Sequence, residues 1–179
     1  EESPIYVVAE HSGKATLELQ TSEGFYVDKP HWYFMGLNIK GVCESHKSCH
    51  HAFHVVGEAD YFHLSHSQLI DFNSAIKVNI RKGISPDFGE ITHNHIYNTS
   101  PRVTSSPVNM INMDQGNQWT VKYNIVRDFL KYGGNRISFG AYFKGGAIGG
   151  ELSNNLIMCE TGEFQAKGST VGLSLGGGG

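Results

Sequence analysis

The segments Tyr61-Phe-His-Leu-Ser-His-Ser-Gln-Leu-Ile-Asp-Phe72 and Phe88-Gly-Glu-Ile-Thr-His-Asn-His-Ile-Tyr-Asn-Thr99 carry the same pattern. In each, an apolar residue is followed by Ser or Asn, then by a second apolar residue, and then by Asp or Asn. The segments Gln118–Phe129 and Gly149–Glu160 repeat most of this pattern, and Trp32–Gly41 fits it more loosely. Successive copies are offset by roughly 30 residues, a period that indicates a solenoid.

Four kinds of position define the repeat. The first apolar anchors are Leu64, Ile91, Val121 and Leu152, joined more loosely by Phe34. The polar positions are Ser67, Asn94, Asn124 and Asn155. The second apolar anchors are Leu69, Ile96, Val126 and Ile157, joined by Ile39. The turn positions are Asp71, Asn98 and Asp128, and Cys159 breaks the series. An Asn at one inward position of each coil predicts a ladder of amide side chains that hydrogen-bond along the stack.

The repeats have the composition of strands rather than of helices. Their apolar residues tend to alternate, they favour Val, Ile, Tyr, Phe and Thr, and no copy has the apolar spacing of an amphipathic helix. Further strand-like runs lie at Ala52–Val56, Ala75–Asn79, Val108–Asn112, Gly140–Lys144 and Val171–Leu175. Each repeat thus contributes at least two short strands, which indicates one coil of a parallel β-helix. We predict an all-β, right-handed parallel β-helix, a single domain over 1–179 with about five coils.

Composition excludes several classes of partner. The formal net charge is −3 and no Lys/Arg cluster is present, so nucleic acid is not expected. No segment has the apolar length of a membrane span, and no signal peptide is visible. Both ends look incomplete, because Ile5–Val8 already reads as a strand inside a coil and Gly172–Gly179 stops within a repeat. We therefore expect a piece of a longer helix that is able to self-associate through its exposed coil ends.

The three cysteines leave alternatives open. Cys43 and Cys49 flank a short polar loop and are close enough in sequence to form a disulfide, which would imply an oxidising compartment. The same loop is rich in metal ligands, so a Cys/His site with His46, His50 or His51 competes with the disulfide, as do free thiols. Cys159 is expected to be a buried, inward residue.

Several segments resemble a known family. Gly41–Gly57, Asp71–Asn79, Gly140–Gly146 and Val171–Gly179 are similar to bacterial parallel β-helix proteins related to polysaccharide lyase family six. That family contains chondroitinase-B-like and alginate-lyase enzymes. The resemblance implies a secreted or periplasmic protein that acts on acidic polysaccharide, with a Lys base, an assisting Arg, and calcium to neutralise the uronate carboxylate. Lys144 matches the family's base best.

Two family features are missing where the resemblance would place them. Arg136–Gly140 stands where an acidic pair should precede the base, and Leu173–Gly177 stands where the assisting Arg should lie.

Strand alternation predicts one polar face. If Phe53 and Val55, and the equivalent residues of later coils, point inward, the intervening residues turn outward. The predicted outward row contains His54, Lys77, Asn79, Tyr142, Lys144 and Ser174, with Asn109 or Asn112 between them. Such a row suits an anionic glycan, because cations bind carboxylates while amides and hydroxyls bind sugar hydroxyls.

The chemistry expected of this face is proton abstraction beside a uronate carboxylate. Lys77 or Lys144 would be the base, since a Lys near other cations has a lowered pKa. His54 or Tyr142 would donate a proton, while Asn79, Asn112 and Ser174 would bind substrate. The alternative interpretations are an epimerase, which shares the first step, and a non-enzymatic glycan-binding or structural β-helix.

Other polar residues give weaker indications. Histidines that stack from coil to coil could bind a metal ion; they are His63, His66, His93 and His95. Asp114, Glu58 and Asp60 are expected in turns beside the face, where their oxygens could hold calcium. The long loops Arg81–Asp87 and Thr99–Pro107 are expected to wall one side of a cleft.

Overall fold

The computed structural model describes residues 3–162 and 168–176, so positions 177–179 at the end of Gly172–Gly179 lie outside the described residues. The described chain folds into strands, with no helix among them, and each turn of the chain contributes three. The first two turns comprise β1 (Ile5–Val8), β2 (Thr16–Leu19), β3 (Glu23–Val27), β4 (Trp32–Met35), β5 (Asn38–Gly41) and β6 (His51–Val56). The next two comprise β7 (His63–Ser65), β8 (Gln68–Ile70), β9 (Ile76–Asn79), β10 (Glu90–Thr92), β11 (His95–Tyr97) and β12 (Val108–Asp114). The last two comprise β13 (Thr120–Lys122), β14 (Ile125–Arg127), β15 (Ile137–Lys144), β16 (Glu151–Ser153), β17 (Leu156–Met158) and β18 (Ser169–Leu175).

Equivalent strands of successive turns pair in parallel and form three six-stranded sheets. Sheet A contains the first strand of every turn, sheet B the second and sheet C the third. The predicted all-β parallel β-helix is therefore confirmed. No helix of the described chain is long and apolar enough to cross a membrane.

The apolar anchors stack in register, as the repeat predicted. Phe34, Leu64, Ile91, Val121 and Leu152 pair one after another across sheet A. Ile39, Leu69, Ile96, Val126 and Ile157 do the same across sheet B. Most of these side chains are fully buried, and together with the inward residues of sheet C they form one continuous core. Each turn thus covers the apolar surface of its neighbours, which is how a solenoid is stabilised.

The predicted Asn ladder is present at the tight turn between sheets A and B. The backbone N–H groups of Ser67, Asn94 and Asn124 each donate to the side chain of the next turn, at 3.0, 2.9 and 3.0 Å. The Asn124 amide also donates back to the Ile91 carbonyl at 2.8 Å and to Asn155 Oδ1 at 3.0 Å. We call Ser67, Asn94, Asn124 and Asn155 the Asn ladder. It satisfies backbone groups that a buried turn would otherwise leave unpaired.

The structure has about six turns where about five were predicted, and its three strands per turn agree with the predicted minimum of two. The additional turn is the first, where Val7 pairs with Phe34 and Leu17 pairs with Ile39. It was not recognised as a copy because a longer connection separates its two anchors and no Asn follows the first.

Leu173 and Leu175 pair with the inward residues Ala141 and Phe143, as expected. They are nevertheless 42% and 71% exposed. Their strand β18 is at the edge of sheet C in the described chain, so no neighbouring turn covers them.

Strand β6 contains a local irregularity that matters for the surface. The N–H groups of Ala52 and Phe53 both donate to the carbonyl of Ala75, at 3.0 Å each. Two residues of β6 thus face one residue of the next turn, which is the arrangement of a β-bulge. Ala52 and Phe53 are both fully buried, while His51 and His54 on either side are only half-buried. The bulge lets two histidines that strict alternation would place on opposite faces point to the same outer surface.

Candidate functional site

The outer face of sheet C brings most of the predicted residues into one row. The row runs across the strands in register through Tyr26, His54, Lys77, Asn112, Tyr142 and Ser174. A second row follows two residues later through Asn79, Asp114 and Lys144. Paired strands lie about 4.8 Å apart, so neighbouring side chains in each row are within reach of one another.

Two lysines of this face share one carboxylate. Lys77 Nζ lies 3.3 Å and Lys144 Nζ 3.2 Å from the same oxygen of Asp114, Oδ2. Asp114 ends strand β12 and is not in a turn, which corrects the sequence expectation. We call Lys77, Asp114 and Lys144 the lysine–aspartate cluster. It is the strongest concentration of charge on the row, and the sequence predicted its two cations but not the acid that joins them.

The surroundings of Lys77 and Asp114 shift the pKa values of these two groups. Burial lowers the pKa of Lys77, and the Lys144 charge adds to this, although attraction to Asp114 acts in the opposite direction. Partial burial works to raise the pKa of Asp114, but the two ammonium groups outweigh it and lower that pKa. A Lys with a lowered pKa is a better proton acceptor near neutral pH than an ordinary surface Lys.

Asn112 and Tyr142 lie on the same row but are shielded from solvent. Asn112 Oδ1 is 3.5 Å from Lys77 Nζ. Tyr142 is only 4% exposed, because the Phe139 ring stacks on it at 5.0 Å and Lys144 Nζ lies 5.5 Å from its ring centroid. The Tyr142 ring thus borders the lysine–aspartate cluster on the side of β15.

His54 and Asn79 belong to a second group of contacts. His54 Nε2 is 2.7 Å from Asn79 Oδ1, and His54 Nδ1 is 2.9 Å from Glu23 Oε2. His51 Nε2 lies 3.9 Å from the other oxygen of Glu23, and we call Glu23, His51 and His54 the His–Glu cluster. Sequence reasoning missed Glu23, which pairs in register with His51 one turn earlier. Assigning β3 to the stack would have aligned these two residues.

Two of the clefts beside sheet C adjoin residues that were predicted from the sequence. One of about 320 Å³ adjoins Lys144, and its lining is Phe143, Lys144, Gly146, Ala147, Gly149, Gly150, Leu175 and Gly176. Ser174 lies on β18 next to this cleft. The other, of about 270 Å³, has the lining Asp28, Lys29, Gly57, Glu58, Arg81, Lys82 and Ile84. The loop Arg81–Asp87 therefore walls a cleft through its first residues.

The loop Thr99–Pro107 lines neither of these clefts. Arg102 is buried and its Nε donates to Asn73 Oδ1 at 3.0 Å, while the Val103 N–H donates to His46 Nδ1 at 2.8 Å. The loop is held at the corner between sheets B and C. That this loop walls a cleft stays a prediction.

The acidic residues considered for calcium engage separate partners. Glu58 forms an ion pair with Lys29 at 2.6 Å, and Asp60 accepts the N–H of Asp87 at 2.8 Å. Asp114 is held by the two lysines of its cluster.

Cys43 and Cys49 are joined by a disulfide, with their Cα atoms 5.7 Å apart. Their sulfurs are thus not arranged as ligands with His46, His50 or His51. Cys159 is half-buried and packs against the core. His66 and His93 stack at 4.9 Å as their shared repeat position suggested, and Tyr123 continues the stack.

His63 and His95 have other partners. His63 Nδ1 lies 3.1 Å from Glu90 Oε2, and Arg127 Nε lies 2.9 Å from His95 Nε2. Within residues 3–162 and 168–176, the one group of three potential metal ligands is the His–Glu cluster.

Comparison of the chain with protein-family models, with curated proteins and with solved structures found no match to any of them. The β-solenoid that the resemblance to polysaccharide lyase family six implied is present, but no family model supports membership in that family.

Proposed function

We propose that the outer face of sheet C binds a uronate-containing polysaccharide and cleaves it by β-elimination, with Lys77 as the base. The observation that carries this proposal is the lysine–aspartate cluster. It combines a Lys of lowered pKa with a second cation and a shared carboxylate on one exposed face.

Each member of the face has a role in this reaction. Neutral Lys77 takes the proton beside the uronate carboxylate, and the electron pair left on carbon forms a double bond as the glycosidic C–O bond breaks. Lys144 pairs with the substrate carboxylate and stabilises the enolate-like charge that develops. Tyr142 gives the leaving oxygen its proton, so that protons and electrons balance.

Tyr142 is assigned as the donor rather than His54 for a geometric reason. Both ring nitrogens of His54 already face oxygens of Glu23 and Asn79. Lys144 Nζ lies over the Tyr142 ring, 5.5 Å from its centroid, which places this phenol beside the lysine–aspartate cluster. Asn112 and Ser174 lie on the same row and would hydrogen-bond sugar hydroxyls.

The protein is further proposed to act outside the cytoplasm. The Cys43–Cys49 disulfide supports this, because disulfides persist in oxidising compartments. An acidic polysaccharide is also an extracytoplasmic substrate.

A second candidate function is a non-enzymatic glycan-binding module. It is favoured by the ion pairs that both lysines make with Asp114, since attraction to that carboxylate favours the charged form of Lys77. A charged ammonium group binds carboxylates but accepts no proton.

The test is incubation with alginate, dermatan and pectate, with and without calcium, while the ultraviolet absorbance of unsaturated uronate is followed. A rise that is lost in Lys77→Met and kept in Lys122→Met supports the lyase. Lys122 is a matched control, because it is also a strand lysine paired with an acid, Glu151 at 2.7 Å, but lies on sheet A.

Absence of any rise, with glycan binding intact, would overturn the lyase and leave the binding module or an epimerase. Uptake of solvent deuterium at the carbon beside the carboxylate, without cleavage, would identify the epimerase.

A further inference from the structure

Glu23, His51 and His54 converge from two adjacent strands of sheet C. Glu23 opens β3, and both histidines lie on β6, where the bulge at Ala52 and Phe53 turns them to one side. One ligand atom from each residue lies within 4.8 Å of the other two. In a four-coordinate zinc site, ligand atoms are about 3.3 Å apart, so small side-chain rotations bring these atoms to ligating distance.

The ring nitrogen of His51 that faces Glu23 is prepared for a metal ion. His51 Nδ1 is 2.9 Å from the carbonyl oxygen of Ser74. A carbonyl only accepts, so Nδ1 carries the proton and Nε2 presents its lone pair toward Glu23.

His54 is oriented in the same manner through its other nitrogen. Asn79 donates through Nδ2 to the Ile80 carbonyl at 2.9 Å, so its Oδ1 faces His54 Nε2 at 2.7 Å and accepts a hydrogen bond from it. The remaining nitrogen, Nδ1, lies 2.9 Å from Glu23 Oε2. Between that nitrogen and the carboxylate there must be either a proton or a cation.

Both histidines therefore donate their far N–H to a protein oxygen and turn the near nitrogen to a shared carboxylate. This is the arrangement that fixes metal-bound histidines in proteins, where outer hydrogen bonds set the tautomer and the ring direction. We propose that Glu23, His51 and His54 bind a divalent transition-metal ion of the zinc class. The ion replaces the proton on His54 Nδ1, and Asn79 acts as a positioning residue.

The ligand set distinguishes this site from the calcium expected by resemblance. Calcium is bound by oxygen atoms, whereas two imidazoles and one carboxylate suit zinc and its neighbours. Three protein ligands leave a coordination position for water or for a ligand oxygen. The inference goes beyond the proposed elimination, because no step of that reaction uses these three residues.

The test is calorimetric titration of the chelator-treated protein with zinc chloride. We expect one ion per chain and a loss of affinity of more than tenfold in Glu23→Gln and in His51→Gln. Cobalt(II) titration should add a visible absorption spectrum of low coordination number that both variants lose. Asn79→Leu should weaken zinc binding about tenfold while the stoichiometry stays the same.

The matched control is His63→Gln. His63 also pairs with an acid, Glu90 at 3.1 Å, but has no second histidine beside it, so zinc binding should be unchanged. Circular dichroism establishes that each variant is folded. The inference is overturned if the wild-type protein binds no zinc, or if Glu23→Gln and His51→Gln bind it as tightly as His63→Gln does. Zinc binding by a protein without lyase activity leaves this inference standing and removes only the proposed function.

Discussion

The Asn ladder and the outer face of sheet C are both rows of polar side chains stacked across parallel strands. In the ladder Asn returns at three successive turns, with Ser67 at the turn before them, and every member hydrogen-bonds to its neighbours or to the turn backbone. On the outer row no two successive turns carry the same residue: Tyr26, His54, Lys77, Asn112, Tyr142 and Ser174 follow one another. The recurring Asn hydrogen-bonds the backbone of each turn, and that backbone also recurs. The residue type on the outer row changes from turn to turn, so the backbone does not require it, and we expect this row to have another role.

The difference also appears in burial and charge. Asn124 is 1% exposed and neutral, and its side-chain amide makes four hydrogen bonds. Lys77 has a 17% exposed side chain, and its charge is balanced by the carboxylate of Asp114. We therefore expect the ladder to control stability and the outer face to control function.

The largest effect is expected in the ladder. Asn124→Ala removes the acceptor of the Asn94 N–H and the donor to the Ile91 carbonyl, and it leaves both groups buried. Each unsatisfied buried group costs about 1–3 kcal/mol, so we expect a loss of about 3 kcal/mol in the free energy of unfolding. Chemical denaturation measures it.

Asn155→Ala is the control for this substitution. Asn155 is itself only half-buried, so water can replace its side chain more readily than that of Asn124, and the loss should be about 1 kcal/mol. Equal losses in the free energy of unfolding for Asn124→Ala and Asn155→Ala would contradict the claim that burial makes the ladder important for stability.

A smaller effect is expected in the lysine–aspartate cluster. Asp114→Asn leaves two ammonium groups without their shared carboxylate and should lower stability at neutral pH by about 1 kcal/mol. Adding Lys77→Met removes one of those charges and should recover most of the loss. A double-mutant cycle measures this coupling, and strict additivity of the two substitutions would show that the cluster is not a unit.

The Asp114 carboxylate also predicts a pH dependence. Its pKa is lowered in the folded protein, so its contribution is present above the unfolded-state pKa and is lost as pH falls through the folded-state pKa. The stability difference between wild type and Asp114→Asn should therefore shrink as the solution is acidified below about pH 4. If the stability difference between wild type and Asp114→Asn grows on acidification, the pKa of Asp114 is not lowered in the folded protein.

The smallest effect is expected for Lys77→Met alone. Replacing a largely buried charge by an apolar chain of similar length is often neutral or slightly stabilising, so we expect a change within about 0.5 kcal/mol. Because the pKa of Lys77 is lowered in the folded state, wild type gains stability relative to this variant as pH rises through that pKa. Denaturation curves at neutral and alkaline pH measure the trend. A loss of stability as large as that of Asn124→Ala would contradict the claim that the ladder, and not the outer face, controls stability.

The sequence was sufficient to predict what depends on the repeat. The anchors from Phe34 to Leu152, the Asn ladder and the row from His54 to Ser174 all follow from a constant period and from alternation along strands. Lys77 and Lys144 were identified because alternation places them outward.

What the sequence did not predict depends on departures from the repeat. The bulge in β6 places His51 on the same side as His54, which strict alternation excludes. Glu23 belongs to a first turn whose anchors are spaced differently. Asp114 was expected in a turn because strand β12 is longer than its apolar pattern indicates. Irregularities of this kind are set by packing at the corners of the sheets, which no local sequence pattern reports.

The most direct test of the functional face is the binding of acidic oligosaccharides, measured by calorimetry with fragments of alginate, dermatan and pectate. The wild-type protein should bind at least one of them, and Lys77→Met/Lys144→Met should lose at least tenfold in affinity. Lys122→Met, which removes a paired strand lysine from sheet A, should bind as wild type does. If the double variant keeps full affinity, or if Lys122→Met loses as much, the outer face of sheet C is not the glycan-binding surface.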